Sequence, residues 1–134
     1  MRRKGDGGDA TKRGNVKILA VDDSKVARLF LIKTLKEVEP GAQILEAENG
    51  LVALELFKEH APDIVFLDLT MPVMDGYQAL REIMALNPKA QVVIVSADIQ
   101  SQAQALVMEL GAKAMVPKPI TSDKMTSIFE QLSI

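Results

Sequence analysis

From Val16 onward the chain alternates short apolar runs of strand length with longer stretches in which apolar residues recur at helical spacing. This order is typical of repeated strand-helix-strand units, which place helices on both faces of a mostly parallel sheet. Because crossover connections in such units are right-handed, we expect one doubly wound α/β domain with its site at the carboxyl ends of the strands. The predicted strands are 16–21, 43–47, 64–67, 92–95 and 113–116, and the predicted helices are 24–38, 51–60, 75–86, 99–110 and 122–132.

The apolar spacing also predicts which side chains face the core. The third strand is apolar at every position, which is expected of a central parallel strand covered on both faces. Ser122 is the predicted N-cap of the last helix. The predicted inner side chains are Val26, Leu29, Phe30 and Leu35 in the first helix, Leu51, Leu54 and Phe57 or close neighbours in the second, and Met125, Ile128, Phe129 and Leu132 in the last.

The size and composition of the chain fit one compact domain. Its 134 residues, 48% of them apolar, can bury a single core but are too few for two ordinary domains. There is no cysteine, so neither a disulfide framework nor a thiolate metal site is available. No apolar run approaches the roughly 20 residues that cross a bilayer, and the amino terminus lacks the apolar segment of a secretory signal. We therefore expect a cytoplasmic protein without membrane insertion.

Residues 1–14 differ in composition from the rest of the chain. They hold five basic and two acidic side chains, a charge of +3, which leaves −5 for the remainder of a chain whose net charge is −2. Four of the eight glycines are also here, so this segment cannot bury enough apolar surface to offset its ordering entropy. We predict a disordered basic, glycine-rich arm over 1–14 and a folded domain over 15–134. Five cations with no aromatic residue among them do not favour nucleic-acid binding.

Charged and hydroxylic side chains follow four of the predicted strands at the point where each strand ends. Asp22 and Asp23 follow the first strand, Asp68 the third, Ser96 the fourth and Lys118 the fifth. Carboxylates gathered at one edge would repel, by roughly 4 kcal/mol for unit charges 4 Å apart at an effective dielectric near 20. A bound hard cation compensates this repulsion while the oxygens stay ionised, and a site with few protein ligands suits Mg²⁺. The alternative is a plain acidic turn after the first strand.

Lys118 and Ser96 favour phosphoryl chemistry at this edge. A lysine directly before Pro119 is held extended at a strand end, so its ammonium can pair with Asp68 and then with phosphoryl oxygens. Ser96 follows four consecutive apolar residues and offers a hydroxyl to a further oxygen. Each residue alone also has a purely structural explanation. Lys118 fits a solvated surface lysine, and Ser96 fits a serine that simply ends a strand.

With these motifs the chain resembles the receiver domains of bacterial two-component response regulators, in particular the stand-alone, chemotaxis-type members. The resemblance runs from about Val16 to the carboxyl terminus, and it implies a flavodoxin-like fold with sheet order 2-1-3-4-5. The order and spacing of the motifs are highly specific. They are Val21-Asp22-Asp23-Ser24, Phe66-Leu67-Asp68-Leu69-Thr70-Met71-Pro72 with Met74-Asp75-Gly76, Ser96-Ala97, and Lys118-Pro119.

The resemblance implies that Asp68 is the phosphoacceptor. It would take a phosphoryl group from a phosphohistidine on a partner histidine kinase and form an acyl phosphate. The implied Mg²⁺ ligands are Asp23, Asp68 and the backbone carbonyl of Thr70, with Asp22 acting largely through water. The chain would then catalyse only its own phosphorylation and dephosphorylation.

The resemblance also implies how the phosphoryl group is held and sensed. Lys118 and the metal would neutralise charge on the phosphoryl oxygens, and Ser96 would move to bond one of them. The added charge of about −1.5 to −2 would bias the surface of the fourth helix, fifth strand and fifth helix between two states. That surface would bind a downstream protein target or a phosphatase.

One residue on the surface that would sense phosphorylation departs from the family pattern. Where the family commonly has Tyr or Phe, three residues before Lys118, this chain has Met115. A flexible methionine can fill the space that Ser96 vacates or pack at an edge that faces a partner protein. We favour the second interpretation, in which Met115 packs at the partner-facing edge. Thr70 and Asp98 occupy positions that, in the family, affect how fast the phosphoryl group hydrolyses. The uncharged stretch 99–108 indicates a docking surface or a neutral, solvated helix.

Three alternatives stay open on the sequence. A phosphorelay intermediate would pass its phosphoryl group to another histidine protein. A Mg²⁺-dependent aspartyl phosphatase of the haloacid-dehalogenase type would need a second acid where Thr70 stands. A flavin-binding carrier shares the architecture, but Asp22 and Asp23 would repel its phosphate. For the receiver domain we expect a monomer or weak dimer.

Overall fold

The computed structural model describes residues 16–132, so the predicted arm over 1–14 lies outside the described residues. Ten elements alternate in the predicted order, and their ends differ from the predicted ones by at most two residues. The strands are β1 (Lys17–Val21), β2 (Gln43–Ala47), β3 (Ile64–Leu67), β4 (Gln91–Ser96) and β5 (Ala114–Pro117). The helices are α1 (Lys25–Val38), α2 (Gly50–His60), α3 (Gly76–Leu86), α4 (Ser101–Glu109) and α5 (Ser122–Gln131).

The five strands form one parallel sheet in the order β2-β1-β3-β4-β5, which confirms the doubly wound α/β fold. In its register Val21 of β1 pairs with Leu67 of β3. The residues that follow these two, Asp22 and Asp68, therefore leave the sheet at the same level. On the other side of β4, Ser96 pairs with Pro117, which brings Ser96 and Lys118 to the same edge.

The helices cover the sheet in two layers, each with its own apolar cluster. One cluster joins α2, α3 and α4 to the face that carries Leu19 and Leu67. The other joins α1 and α5 to the face that carries Ile18 and Phe66. On this second face the rings of Phe66 and Phe129 lie 6.4 Å apart between centroids. β1 and β3 are buried on both faces, which fixes the strand ends from which the acidic residues project.

The predicted inner stripe of α1 is largely wrong. Val26, Leu29 and Phe30 are 79%, 52% and 49% exposed. The side chains that α1 buries are Leu31, Ile32, Thr34 and Leu35. The helix carries apolar residues on two faces, so helical spacing alone does not say which of them meets the sheet.

Two smaller predictions on the helices also need correction. Leu51 of α2 is 42% exposed, and Ala53 is buried beside Leu54 and Phe57 instead. The N-cap of α5 is Thr121, whose hydroxyl accepts the Lys124 N–H, and Ser122 is the first helical residue. In the same helix Met125, Ile128 and Phe129 are buried as predicted, and Leu132, just beyond its end, packs against them. None of the helices within residues 16–132 combines the length and apolar character needed to cross a membrane.

Candidate functional site

Three carboxylates meet at the carboxyl ends of β1 and β3. One oxygen from each of Asp22, Asp23 and Asp68 lies within 4.8 Å of the others. Asp22 and Asp68 are buried, whereas Asp23 is exposed. The structure thus brings together the three acids that the sequence places after the two central strands, and we call them the acidic cluster.

Asp22 is held in place by hydrogen bonds on both sides of its backbone. Its N–H donates to the Ala47 carbonyl of β2 at 3.1 Å. Its carbonyl accepts from Arg28 Nη1 at 2.7 Å, and its side-chain Oδ1 accepts the Ser24 N–H at 2.9 Å. Ser24 in turn caps α1 by accepting the Ala27 N–H. The start of α1 and the edge of the sheet together fix this aspartate.

Lys118 contacts two members of the acidic cluster. Its Nζ lies 2.6 Å from Asp22 Oδ2 and 3.3 Å from Asp68 Oδ2. The sequence favoured Asp68 as the partner, but the shorter contact is with Asp22. The Lys118 N–H donates to the Ser96 carbonyl at 3.0 Å, and the Lys118–Pro119 peptide bond is cis. The end of β5 therefore aims the ammonium at both buried carboxylates.

Burial and charge shift the pKa values of Asp68 and Lys118. Burial raises the pKa of the Asp68 carboxyl above its usual value, and the Asp22 charge raises it further, against the opposing effects of Lys118 and the Leu69 N–H. Burial by itself would lower the pKa of Lys118, but the carboxylates of Asp22 and Asp68 raise it above its usual value. Burial, together with the Asp22 charge, therefore disfavours the ionised Asp68 carboxyl more than Lys118 and the Leu69 N–H favour it.

The raised pKa of Asp68 predicts that Asp68→Asn raises the free energy of unfolding at pH 7 in metal-free buffer. Because the folded-state pKa of Asp68 is raised, folding favours the protonated form, and the ionised carboxylate lowers stability. The advantage of the variant should be fully present above the raised pKa of folded Asp68, shrink as the pH falls through that pKa, and vanish below the usual carboxyl value of 3.8, where the carboxyl is protonated in both the folded and the unfolded state. Urea denaturation with EDTA at a series of pH values measures it.

Asp75→Asn is the control for loss of one carboxylate. Asp75 is exposed and caps α3, and asparagine caps a helix equally well. An Asp68→Asn protein less stable than wild type at pH 7 would contradict the electrostatic account.

The loop between β3 and α3 packs tightly against the backbone of Asp68. The Leu69 N–H donates to Asp68 Oδ1 at 2.8 Å, and the Gly76 N–H donates to the Leu69 carbonyl at 2.9 Å. A Cβ on Gly76 would lie 2.1 Å from the Asp68 carbonyl oxygen. Only glycine therefore allows α3 to begin this close to the backbone of Asp68. Thr70 belongs to the same loop, two residues after Asp68, and is exposed.

Ser96 ends β4 with its side chain buried. Its Oγ accepts the Asp98 N–H at 3.1 Å, and Asp98 Oδ1 accepts the Gln100 N–H at 3.1 Å. Asp98 itself is exposed. The serine hydroxyl is thus tied into the loop that leads to α4, in the strand register that brings it to the edge beside Lys118.

Met115 lies on a different surface, where α4 meets β5. It is half-buried and packs against the cluster beneath α4. An open groove of about 440 Å³ runs along this surface. Its lining residues are Ser101, Gln104, Ala105, Met108, Ala114 and Met115. The groove carries no charged side chain among these residues, as the uncharged fourth helix predicts.

The acidic cluster has the chemistry of a magnesium site. Its three carboxylates and the Lys118 ammonium sum to a formal charge of −2 when all are ionised, which one divalent cation balances. The ligands are hard oxygens, and three protein ligands leave room for the waters that Mg²⁺ retains. The residues present therefore fit this ion.

The sequence did not single out Arg28, which bonds the Asp22 carbonyl. No sequence signal singles it out, because Lys25 at the start of the same helix is basic as well.

Comparison with known proteins gives relatives over nearly the whole chain. It is 40% identical over 116 residues to "Chemotaxis protein CheY" of Listeria monocytogenes, a match that covers 87% of this chain and 97% of the relative. It is 39% identical over 110 residues to "Chemotaxis protein CheY" of Bacillus subtilis, covering 81% of this chain and 90% of that one.

Solved structures agree with the fold. A chain of the CheX-CheY-BeF3-Mg²⁺ complex from Borrelia burgdorferi superimposes with a TM-score of 0.72 at 33% identity, covering 85% of this chain and 89% of that chain. A CheY-like receiver domain from Methanospirillum hungatei gives 0.79 at 19% identity over 87% and 91%, which shows the fold alone. The response regulator receiver domain profile matches residues 18–130. The chain belongs to the response regulator receiver domain family.

Proposed function

We propose that this receiver domain accepts a phosphoryl group on Asp68 from a phosphohistidine of a histidine kinase, in a Mg²⁺-dependent reaction. The observation that carries the proposal is the acidic cluster with Lys118 Nζ 2.6 Å from Asp22 and 3.3 Å from Asp68. Receiver domains act in two-component signalling, and the relatives named as chemotaxis proteins favour a chemotaxis-type pathway in the cytoplasm.

The proposed transfer moves one phosphoryl group between two side chains. A carboxylate oxygen of Asp68 attacks phosphorus, the phosphorus–nitrogen bond of the donor breaks, and the imidazole leaves with the electron pair. Lys118 stays beside the forming acyl phosphate and neutralises charge on its oxygens. The Leu69 N–H on Asp68 Oδ1 keeps the carboxylate oriented during the attack.

Asp22, Asp23 and Asp68, with the Thr70 carbonyl, would hold the Mg²⁺. When bound, the ion supplies positive charge to the transferring phosphoryl group. The protein acts on no other substrate in this scheme, and water later hydrolyses the acyl phosphate. Thr70 and Asp98, both exposed, are the proposed side chains that tune this hydrolysis.

The proposed switch begins at Ser96. A phosphoryl oxygen that draws the Ser96 hydroxyl would replace the contact that Ser96 Oγ now makes with the Asp98 N–H. Because that contact lies in the loop before α4, its loss would change the surface formed by α4, β5 and α5. The uncharged groove beside Met115 lies on this surface and supports a protein target or a phosphatase as the partner of a monomeric or weakly dimeric chain. This groove favours a target-binding switch over a phosphorelay intermediate.

Metal removal tests the proposed reaction. With Mg²⁺ and a small acyl-phosphate donor, we expect one phosphoryl group per chain by intact mass, and EDTA should reduce the labelling to background. The reason is that three carboxylates repel an anionic donor unless a cation compensates them. In the same samples, Mg²⁺ at one hundred times its Kd should raise the free energy of unfolding by about 2.7 kcal/mol.

Asp23→Ala is the matched variant for this experiment. Asp23 is exposed, so its removal should leave the fold intact while most of the Mg²⁺-dependent stabilisation is lost. Labelling that persists in EDTA would show that the reaction does not need the metal.

A further inference from the structure

Arg28 joins the acidic cluster to the edge of the sheet. Its side chain is only 13% exposed although it lies on the first turns of α1. Nη1 donates to the Asp22 carbonyl at 2.7 Å, and Nε donates to Glu46 Oε1 at 2.9 Å. The planar guanidinium therefore spans from the β1–α1 loop to β2, a two-point contact that suits arginine.

The Asp22 carbonyl is where this contact acts on the site. The same planar peptide group contains the Asp22 carbonyl and the Asp23 N–H, so a bond to one fixes the direction of both. The preceding peptide is fixed by the Asp22 N–H, which donates to Ala47 of β2. Two of the three carboxylates in the acidic cluster thus start from a backbone that Arg28 and β2 hold from opposite sides.

We propose that Arg28 is a positioning residue for the metal ligands Asp22 and Asp23, and that Glu46 orients Arg28. The inference rests on the proposed function, because it takes the acidic cluster as a Mg²⁺ site. The half-exposed Glu46 carboxylate receives Nε, which leaves Nη1 directed at the Asp22 carbonyl. Groups that orient metal ligands typically change metal affinity by 10- to 100-fold when they are removed.

Charge and positioning make opposite predictions for Arg28. A guanidinium beside the acidic cluster repels a divalent cation, so by charge alone its removal should tighten Mg²⁺ binding. Removal of a positioning contact should instead weaken binding. The sign of the change in Kd therefore separates the two roles.

The experiment measures the Mg²⁺ Kd of the full chain by titration calorimetry. Arg28→Met should raise the Kd about tenfold or more. Arg28→Lys keeps the charge but cannot make the two-point contact, so its Kd should also rise. Glu46→Ala removes the acceptor for Arg28 Nε, so its Kd should also rise. An unchanged or lower Kd in Arg28→Met overturns the proposal.

Two further measurements exclude a general loss of structure. The core variant Ile128→Val should lower the urea midpoint of unfolding without changing the Kd. In metal-free Arg28→Met, the amide nitrogen resonance of Asp23 should shift, because its peptide loses the hydrogen bond to the carbonyl; an unmoved resonance counts against positioning.

The outcomes also separate this inference from the proposed function. A wild type that neither binds Mg²⁺ nor accepts a phosphoryl group overturns both. A wild type that does both, beside an Arg28→Met protein that binds Mg²⁺ equally well, overturns the positioning role alone.

Discussion

Asp68→Asn should abolish phosphorylation of this protein by a small acyl phosphate in the presence of Mg²⁺. The amide nitrogen and oxygen of asparagine are too weakly nucleophilic to form an acyl phosphate, whereas the fold around position 68 is kept. Asparagine retains an oxygen to accept the Leu69 N–H, and Lys118 retains Asp22 at 2.6 Å. We expect labelling at background level, against one phosphoryl group per chain in the wild type.

The controls make this result specific to the acceptor. Asp75→Asn makes the same chemical change at an exposed cap and should be labelled like wild type. The expected rise in stability of Asp68→Asn excludes unfolding as the cause of its inactivity. Undiminished labelling of Asp68→Asn would place the acceptor elsewhere and end the proposed function.

Gly76→Ala should lower the free energy of unfolding by about 3 kcal/mol, the upper end of the usual range for an overpacked site. The new Cβ would lie 2.1 Å from the Asp68 carbonyl oxygen and 2.7 Å from the Leu69 Cα. Both are backbone atoms, so no side chain can turn away to make room. Part of the clash is offset because alanine favours a helix by about 1 kcal/mol over glycine.

The same clash should reach the site, because the carbonyl that must move belongs to Asp68. We therefore expect slower labelling of Gly76→Ala even under conditions where it is fully folded. Gln78→Ala lies two residues later on the exposed side of α3 and is the matched control. Urea denaturation and labelling rates on the two variants check the prediction, and a Gly76→Ala protein as stable as Gln78→Ala would contradict it.

The order of elements and the acidic cluster were predictable because they depend on local pattern. β3 is a uniform apolar run between Pro62 and Asp68, which is typical of a central parallel strand and marks where the strand ends. The carboxyl ends of parallel strands share one edge, and the sheet order that the family resemblance implies makes β1 and β3 neighbours, so Asp22 and Asp68 are expected to lie near each other.

Contacts that depend on which side of a helix packs against the sheet were not predictable in this way. α1 has apolar residues on two sides, and the exposed Phe30 has the same chemistry as a core residue. The contact of Arg28 was not predictable either, because it depends on the direction of the Asp22 carbonyl, which the spacing of residues in the sequence does not encode. The preference of Lys118 for Asp22 over Asp68 is likewise a difference of less than 1 Å between two distances.

The pairing of Val21 with Leu67 has a consequence for the speed of response. Because the two central strands hold Asp22 and Asp68 side by side in the folded chain, their backbone is already ordered before any ligand arrives. Ordering a flexible segment costs about 1–2 kcal/mol per residue, and here that entropy is lost during folding. In the proposed reaction, assembly of the site therefore adds no backbone-ordering step of its own after the donor arrives.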